Sequence, residues 1–252
     1  MVNFSLDNKV ALITGASRGI GEAIALTLAE YGAHCILASR KIESLQAVAD
    51  KIAAGGGKAE AIACHAGRVD QIKALFKQVG DTHGKLDILV NNAATNPYFG
   101  EMVGAEEWAW DKTIEVNLKG PFFMIQQAAG LMEKAGGGAI VNTASIAGIR
   151  PGPMQGIYSI TKAALISMTK AYAKELAGKN IRVNALLPGL TDTKFAEALL
   201  TTDWIYQAAM EHIPLKRHAE PGEMAGAVLY LVSDASSYTT GTTIVCDGGA
   251  LA

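Results

Sequence analysis

Short apolar runs alternate with longer helical patterns from one end of this chain to the other. The runs fall at 10–14, 34–39, 58–64, 86–91, 138–143, 182–187 and 243–246, and helix-like segments lie near 20–31, 42–54, 69–82, 106–117, 119–135, 156–178 and 222–232. The runs are mostly apolar and do not alternate with polar residues, as burial on both faces of a parallel sheet requires. Strand–helix repetition over the whole length predicts an α/β, doubly wound fold. The glycine runs at 55–57 and 136–138 each follow a helix and precede a strand, so they read as helix-ending turns rather than linkers. A single domain over 1–252 follows. The stretch 190–215 fits the alternation least and comes after Pro188-Gly189, which marks it as an insertion covering a site.

The first run leads into Thr14-Gly15-Ala16-Ser17-Arg18-Gly19-Ile20-Gly21 and then a helix. Glycines at a strand-to-helix turn let backbone approach a pyrophosphate, and the helix N-terminus favours its charge. The spacing is G-x-x-x-G-x-G, and no Gly-Lys-Ser/Thr follows, so it is not a P-loop. The second run ends in Ala38-Ser39-Arg40, without the carboxylate that would hold the ribose hydroxyls of NAD. Ser39 and Arg40, with Arg18 from the glycine loop, suit a ribose 2′-phosphate and point to NADP(H) ahead of NAD(H).

Tyr158-Ser159-Ile160-Thr161-Lys162 puts a phenol and an amine one turn apart on a helix face. An ammonium beside a phenol favours phenolate, so the Tyr158 pKa is expected to fall from about 10 toward working pH. Such a phenol can protonate a carbonyl oxygen or deprotonate an alcohol. Ser145, just past the fifth run, is placed to polarise the same carbonyl.

Half the residues are apolar and 6% aromatic, which supports a sizeable core of helices packed closely on a sheet. The formal charge of −2 gives no general attraction to nucleic acid or a membrane surface. Cys35, Cys64 and Cys246 form no C-x-x-C, and the five histidines show no metal-ligand spacing, so neither disulfides nor a metal are expected. No apolar run is long enough to span a bilayer and no signal sequence is evident, which makes the cytoplasm the expected location.

With the glycine loop, Ser145 and the Tyr158–Lys162 pair in hand, the chain resembles the short-chain dehydrogenase/reductases over nearly its whole length. Asn91-Asn92-Ala93-Ala94 is similar to the family's N-N-A-G motif, with Ala94 in place of glycine. Asn117 and Pro188-Gly189 match the family's mid-helix asparagine and its proline-glycine pair. The resemblance implies a single Rossmann-like domain with a seven-stranded parallel sheet and helices on both faces. It implies Tyr158 as acid/base, Lys162 lowering its pKa and binding the nicotinamide ribose, and Ser145 bonding the substrate oxygen. It also implies Asn117 holding a water that relays protons to Lys162, Asn91 near the adenosine ribose and bracing the sheet, and Ala93 among the cofactor-binding residues. Leu190, Thr191 and Thr193 would meet the nicotinamide end. Where the family often has an aspartate on the adenine, this chain has His65-Ala66, so His65 either accepts from the base amino group or sits at the rim.

The expected function is NADP(H)-dependent interconversion of a carbonyl and an alcohol on a small molecule. The alternatives are an NAD-dependent alcohol dehydrogenase of the same family and a non-catalytic dinucleotide-binding regulator. Segments 95–99, 149–155 and 190–206, with Pro97, Tyr98, Phe99, Met154, Phe195, Trp204 and Tyr206, are candidate substrate walls. Met154 and Trp204 serve equally well as core or subunit contacts. Arg150 could meet a carboxylate or an acyl-carrier phosphate. The resemblance also implies a homotetramer, with contacts near 106–135, 156–178 and the C-terminal segment. Leu118, Phe122, Ile125 and Leu165 are expected to be buried.

Overall fold

A computed structural model describes residues 2–252. Seven strands, β1 (Val10–Thr14), β2 (His34–Ser39), β3 (Lys58–Ala63), β4 (Ile88–Asn91), β5 (Gly138–Thr143), β6 (Ile181–Pro188) and β7 (Thr243–Cys246), form one parallel sheet in the order β3-β2-β1-β4-β5-β6-β7. Chain order reverses between β1 and β4, so the loops leaving them diverge and open a crevice at the strands' C-terminal ends.

Among the described residues, nine α-helices connect the strands: α1 (Gly19–Glu30), α2 (Ile42–Ala54), α3 (Val69–His83), α4 (Glu107–Ile114), α5 (Gly120–Lys134), α6 (Gly156–Leu176), α7 (Glu197–Thr201), α8 (Asp203–His212) and α9 (Gly222–Val232). Apolar side chains of α1, α2 and α9 pack on one face against Ala11, Ile13, Cys35 and Leu37. Those of α3, α5 and α6 pack on the other against Val10, Leu12, Ile36 and Leu89. Successive strand residues point to opposite faces, so the unbroken apolar runs reflect a core on each side. The fold is Rossmann-like, with helices on both faces.

One expectation from sequence is corrected. The helices expected at 106–117 and 119–135 are joined without a break by a π-helical turn, Glu115–Lys119. Pro121 has no N–H to give the Asn117 carbonyl four residues back, and the chain takes a wide turn there instead of ending. Such insertions often mark functional positions. The 190–215 stretch, read from sequence as an insertion, carries two short helices, α7 and α8.

Candidate active site

The C-terminal ends of the strands converge on a cavity of about 1000 Å³. At one end the glycine loop takes left-handed backbone at Gly15 (φ 67°) and Gly19 (φ 59°), which side chains disfavour. A Cβ at Gly21 would lie 2.3 Å from the Gly15 carbonyl oxygen, so the first turn of α1 presses directly on the loop. Thr14 Oγ1 donates to the Val90 carbonyl at 3.2 Å and accepts from the N–H groups of Asn92 and Ala93 at 3.0 and 3.1 Å. Asn92 Nδ2 returns a bond to the Thr14 carbonyl at 3.2 Å. These contacts tie β1 to β4 where the sheet reverses.

Arg18 precedes α1 without a side-chain cap on its first turn, so those amides can bind an anion. Arg18, Arg40, Lys41 and Lys112 line this end, and no aspartate or glutamate lines the cavity anywhere. The residues present therefore fit a phosphorylated dinucleotide. His65 also lines it. Its Nδ1 accepts from the Gly67 N–H at 3.1 Å, and its Nε2 lies 3.3 Å from Lys112 Nζ, which places the ring at the rim of this end. Burial first, and then the Lys112 ammonium, lower the His65 pKa.

At the other end, β5 delivers Thr143, Ala144 and Ser145. Ser145 caps the short turn Ile146–Gly148 by accepting from the Ala147 N–H at 3.1 Å. That turn packs tightly on α6, since a Cβ at Gly148 would lie 2.7 Å from the Lys162 carbonyl carbon. The contact brings Ser145 to Tyr158. Lys162 is 2% exposed, donates to the Thr143 carbonyl at 2.7 Å, and holds its Nζ 5.4 Å from the Tyr158 ring centroid. Ser145, Tyr158 and Lys162 all line the cavity. Phe195 lies tilted against Tyr158, ring centroids 5.6 Å apart, and α7 and α8 complete the wall with Leu199, Trp204 and Ala208.

The expected acidification of Tyr158 is not met by the protein's own groups. Burial pushes the phenol up to about 12, and the Ser145 hydroxyl beside it only partly draws it back. Lys162 cannot offset this, because burial brings its own pKa down to about 7. Desolvation disfavours both charged forms and outweighs their mutual attraction.

Of the residues singled out from sequence, Gly15, Ser17, Arg18, Gly19, Ile20, Ser39, Arg40, His65, Ala93, Ser145, Tyr158, Lys162, Pro188, Gly189, Leu190, Thr191 and Thr193 all line the cavity. Gly21, Asn91 and Asn117 stand behind its wall. Gly21 serves the close approach of α1. Asn91 Nδ2 donates to Asn142 Oδ1 at 2.9 Å, bracing β4 to β5. Asn117 spends both amide hydrogens on the Thr95 carbonyl at 2.8 Å and Thr161 Oγ1 at 3.2 Å, and its Oδ1 accepts from the Thr95 N–H at 2.8 Å. It joins the loop after β4 to α6.

Among the expected walls, Pro97, Tyr98 and Tyr206 do not line the cavity, whereas Phe99, Arg150, Met154, Phe195 and Trp204 do. The Tyr98 hydroxyl donates to the Glu101 carbonyl, and the Tyr206 hydroxyl bonds His218. Phe122, expected to be buried, is exposed, while Ile125 and Leu165 are buried. Lys41, Lys112, Thr143 and Leu251 were missed from sequence. For Lys41 the available signal was its place one residue after Arg40.

A family model described as enoyl-(acyl carrier protein) reductase matches residues 15–250. The chain is 41% identical over 244 residues to the dehydrogenase/reductase SDR family member 4 of Homo sapiens, covering 97% of this chain and 88% of that one. It is also 41% identical over 244 residues to a 3-oxoacyl-[acyl-carrier-protein] reductase of Thermotoga maritima, covering 97% and 98%. A gluconate 5-dehydrogenase of Burkholderia cenocepacia, solved with NADP and tartrate, superposes with a TM-score of 0.95 at 31% identity, covering 99% and 98%. Sequence, sheet order and site geometry agree: the chain belongs to the short-chain dehydrogenase/reductase family of oxidoreductases.

Proposed function

We propose that this protein is an NADP(H)-dependent oxidoreductase that interconverts a carbonyl and an alcohol on a small molecule. One observation carries the reading: Ser145, Tyr158 and Lys162 meet at one end of a cavity whose other end carries Arg18, Arg40, Lys41 and Lys112 and no carboxylate. The glycine loop and the first-turn amides of α1 hold the pyrophosphate, and Ser39 with Arg40 and Lys41 takes the ribose 2′-phosphate. Ala93, Pro188, Gly189, Leu190, Thr191 and Thr193 border the rest of the dinucleotide. When bound, the nicotinamide supplies or accepts the hydride. Tyr158 gives its proton to the substrate oxygen, and Ser145 donates a hydrogen bond that strengthens as charge develops there. Lys162 binds ribose hydroxyls and re-protonates the phenol. Asn117 serves the proton relay through its backbone carbonyl, since its side-chain donors are already engaged.

Phe99, Met154, Phe195, Leu199 and Trp204 give the substrate end an apolar wall, and Arg150 and Lys194 join it. This lining favours an apolar or aromatic ketone, or a 3-oxoacyl thioester whose carrier phosphate meets the cations. The segment 190–215 acts as the substrate cover. Exposed Trp108, Trp110 and Phe122 on α4 and α5 favour assembly into a homotetramer. No helix among the described residues is long and apolar enough to cross a membrane, and we place the enzyme in the cytoplasm.

The test is Tyr158→Phe assayed by NADPH oxidation against a panel of ketones and 3-oxoacyl thioesters. Turnover is expected to fall by about 10³-fold or more, with NADPH affinity preserved. Normal turnover by the variant overturns the assignment of Tyr158.

A further inference from the structure

The N-terminal ends of the strands, opposite the catalytic cavity, carry a second cluster of functional side chains. His34 opens β2, Glu60 is the third residue of β3, and His83 closes α3. They are far apart in sequence, and the sheet brings them together. His34 pairs in register with Lys58 and Ile36 with Glu60, so His34 and Glu60 emerge on the same face, where the end of α3 meets the edge strand. One potential ligand atom from each residue lies within 4.8 Å of the others. Glu60 Oε1 is 2.5 Å from His83 Nε2 and 3.8 Å from His34 Nε2. The two imidazoles pack edge to face with centroids 4.9 Å apart.

We propose that His34, Glu60 and His83 form a structural binding site for a borderline transition-metal ion of the zinc class. Two imidazole nitrogens and one carboxylate oxygen suit Zn²⁺ or Co²⁺ rather than the all-oxygen sets of Mg²⁺ and Ca²⁺. Ligand bonds of about 2.0–2.2 Å in tetrahedral geometry set donor atoms about 3.4 Å apart. The Glu60–His34 pair is close to that, and the Glu60–His83 pair opens by about 1 Å through side-chain rotation. The ion takes the place of the Glu60–His83 hydrogen bond. Lys58, on the same face of β3, opposes binding. Three protein ligands leave one position for water. The ion would clamp the C-terminal end of α3 to an edge strand, remote from the chemistry at the other end of the sheet.

The experiment uses the whole enzyme, stripped of metal with a chelator. Calorimetric titration with Zn²⁺, and absorption titration with Co²⁺, should give one ion per chain, with tetrahedral visible bands for Co²⁺ and a Zn²⁺-dependent rise in Tm. His83→Gln and Glu60→Gln should each weaken binding by about tenfold or more. Both should keep NADPH-dependent turnover, which also shows that they fold. Absence of Zn²⁺ binding, equal binding by the variants, or equal stabilisation by Mg²⁺ overturns the proposal.

Discussion

The Lys162 ammonium hangs from the Thr143 carbonyl at 2.7 Å, so the last residue of β5 fixes a nearly solvent-free cation beside the Tyr158 phenol. Its burial is costly, and that cost has a definite pH dependence. The unfolded lysine keeps its proton up to its ordinary value of 10.5, but the folded one only up to about 7. Between these values the unfolded state binds more protons, so this residue's contribution makes stability rise with pH. The penalty is fully present below about 7 and fades toward 10.5.

Lys162→Met removes the penalty and leaves one Thr143 carbonyl unpaired, at about 1–3 kcal/mol. The variant is expected to resist urea better than wild type at about pH 6, by an amount on the order of a few kcal/mol at most, and to lose most of that advantage by about pH 9. Other titrations are common to both proteins and cancel. Urea melts at the two pH values check this, and a pH-independent difference would contradict it. Turnover should be lost at both.

Ser145→Ala should lower kcat by about 10²–10³-fold, because the hydroxyl is the proposed donor to the developing charge. It also removes the acceptor of the Ala147 N–H, costing about 1 kcal/mol of stability. Single-turnover rates with bound NADPH separate the two effects, and an unchanged hydride-transfer rate would remove Ser145 from the chemistry.

Arg40→Ala should reduce kcat/KM for NADPH by about 10–100-fold, the worth of one charge-assisted bond to a phosphate. Turnover with NADH should be little changed. Equal losses with both cofactors would mean that Arg40 does not read the 2′-phosphate.

Gly21→Ala sets a methyl group 2.3 Å from the Gly15 carbonyl oxygen and 2.5 Å from the Asn92 side-chain amide nitrogen. About 1–3 kcal/mol of stability should be lost, with weaker dinucleotide binding as the glycine loop shifts. Gly130→Ala, in α5 with nothing within 4 Å of the added carbon, is the control and should be neutral or stabilising by about 0.5–1 kcal/mol. Thermal unfolding and NADPH titration of the two variants decide.

Much of this architecture is legible locally. The seven apolar runs fall on the seven strands, and the glycine loop, Ser145, Tyr158 and Lys162 reach the cavity because each motif sits at a strand end or on the helix after it. Strand ends move by a residue or two: β4 begins at Ile88 rather than 86, and β6 extends through Pro188. What sequence hides is whatever depends on depth or on register between distant segments. Spacing alone places an ammonium beside a phenol, but not the burial that raises Tyr158 rather than lowering it. Histidine spacing suggests no ligand set, because β2–β3 register and the end of α3 bring His34, Glu60 and His83 together. Pro121 marks a helix boundary by its chemistry, yet the π-helical turn carries the chain through it.

The reversal of strand order between β1 and β4 divides the cavity between two stretches of chain. Everything proposed to read the phosphate groups lies before residue 113, and the three side chains proposed to act at the substrate oxygen, Ser145, Tyr158 and Lys162, lie after residue 142. Cofactor preference and carbonyl chemistry are thus written in separate halves of the polypeptide. A graft that exchanges the first half with a relative's should change which dinucleotide is used while the compound being reduced stays the same.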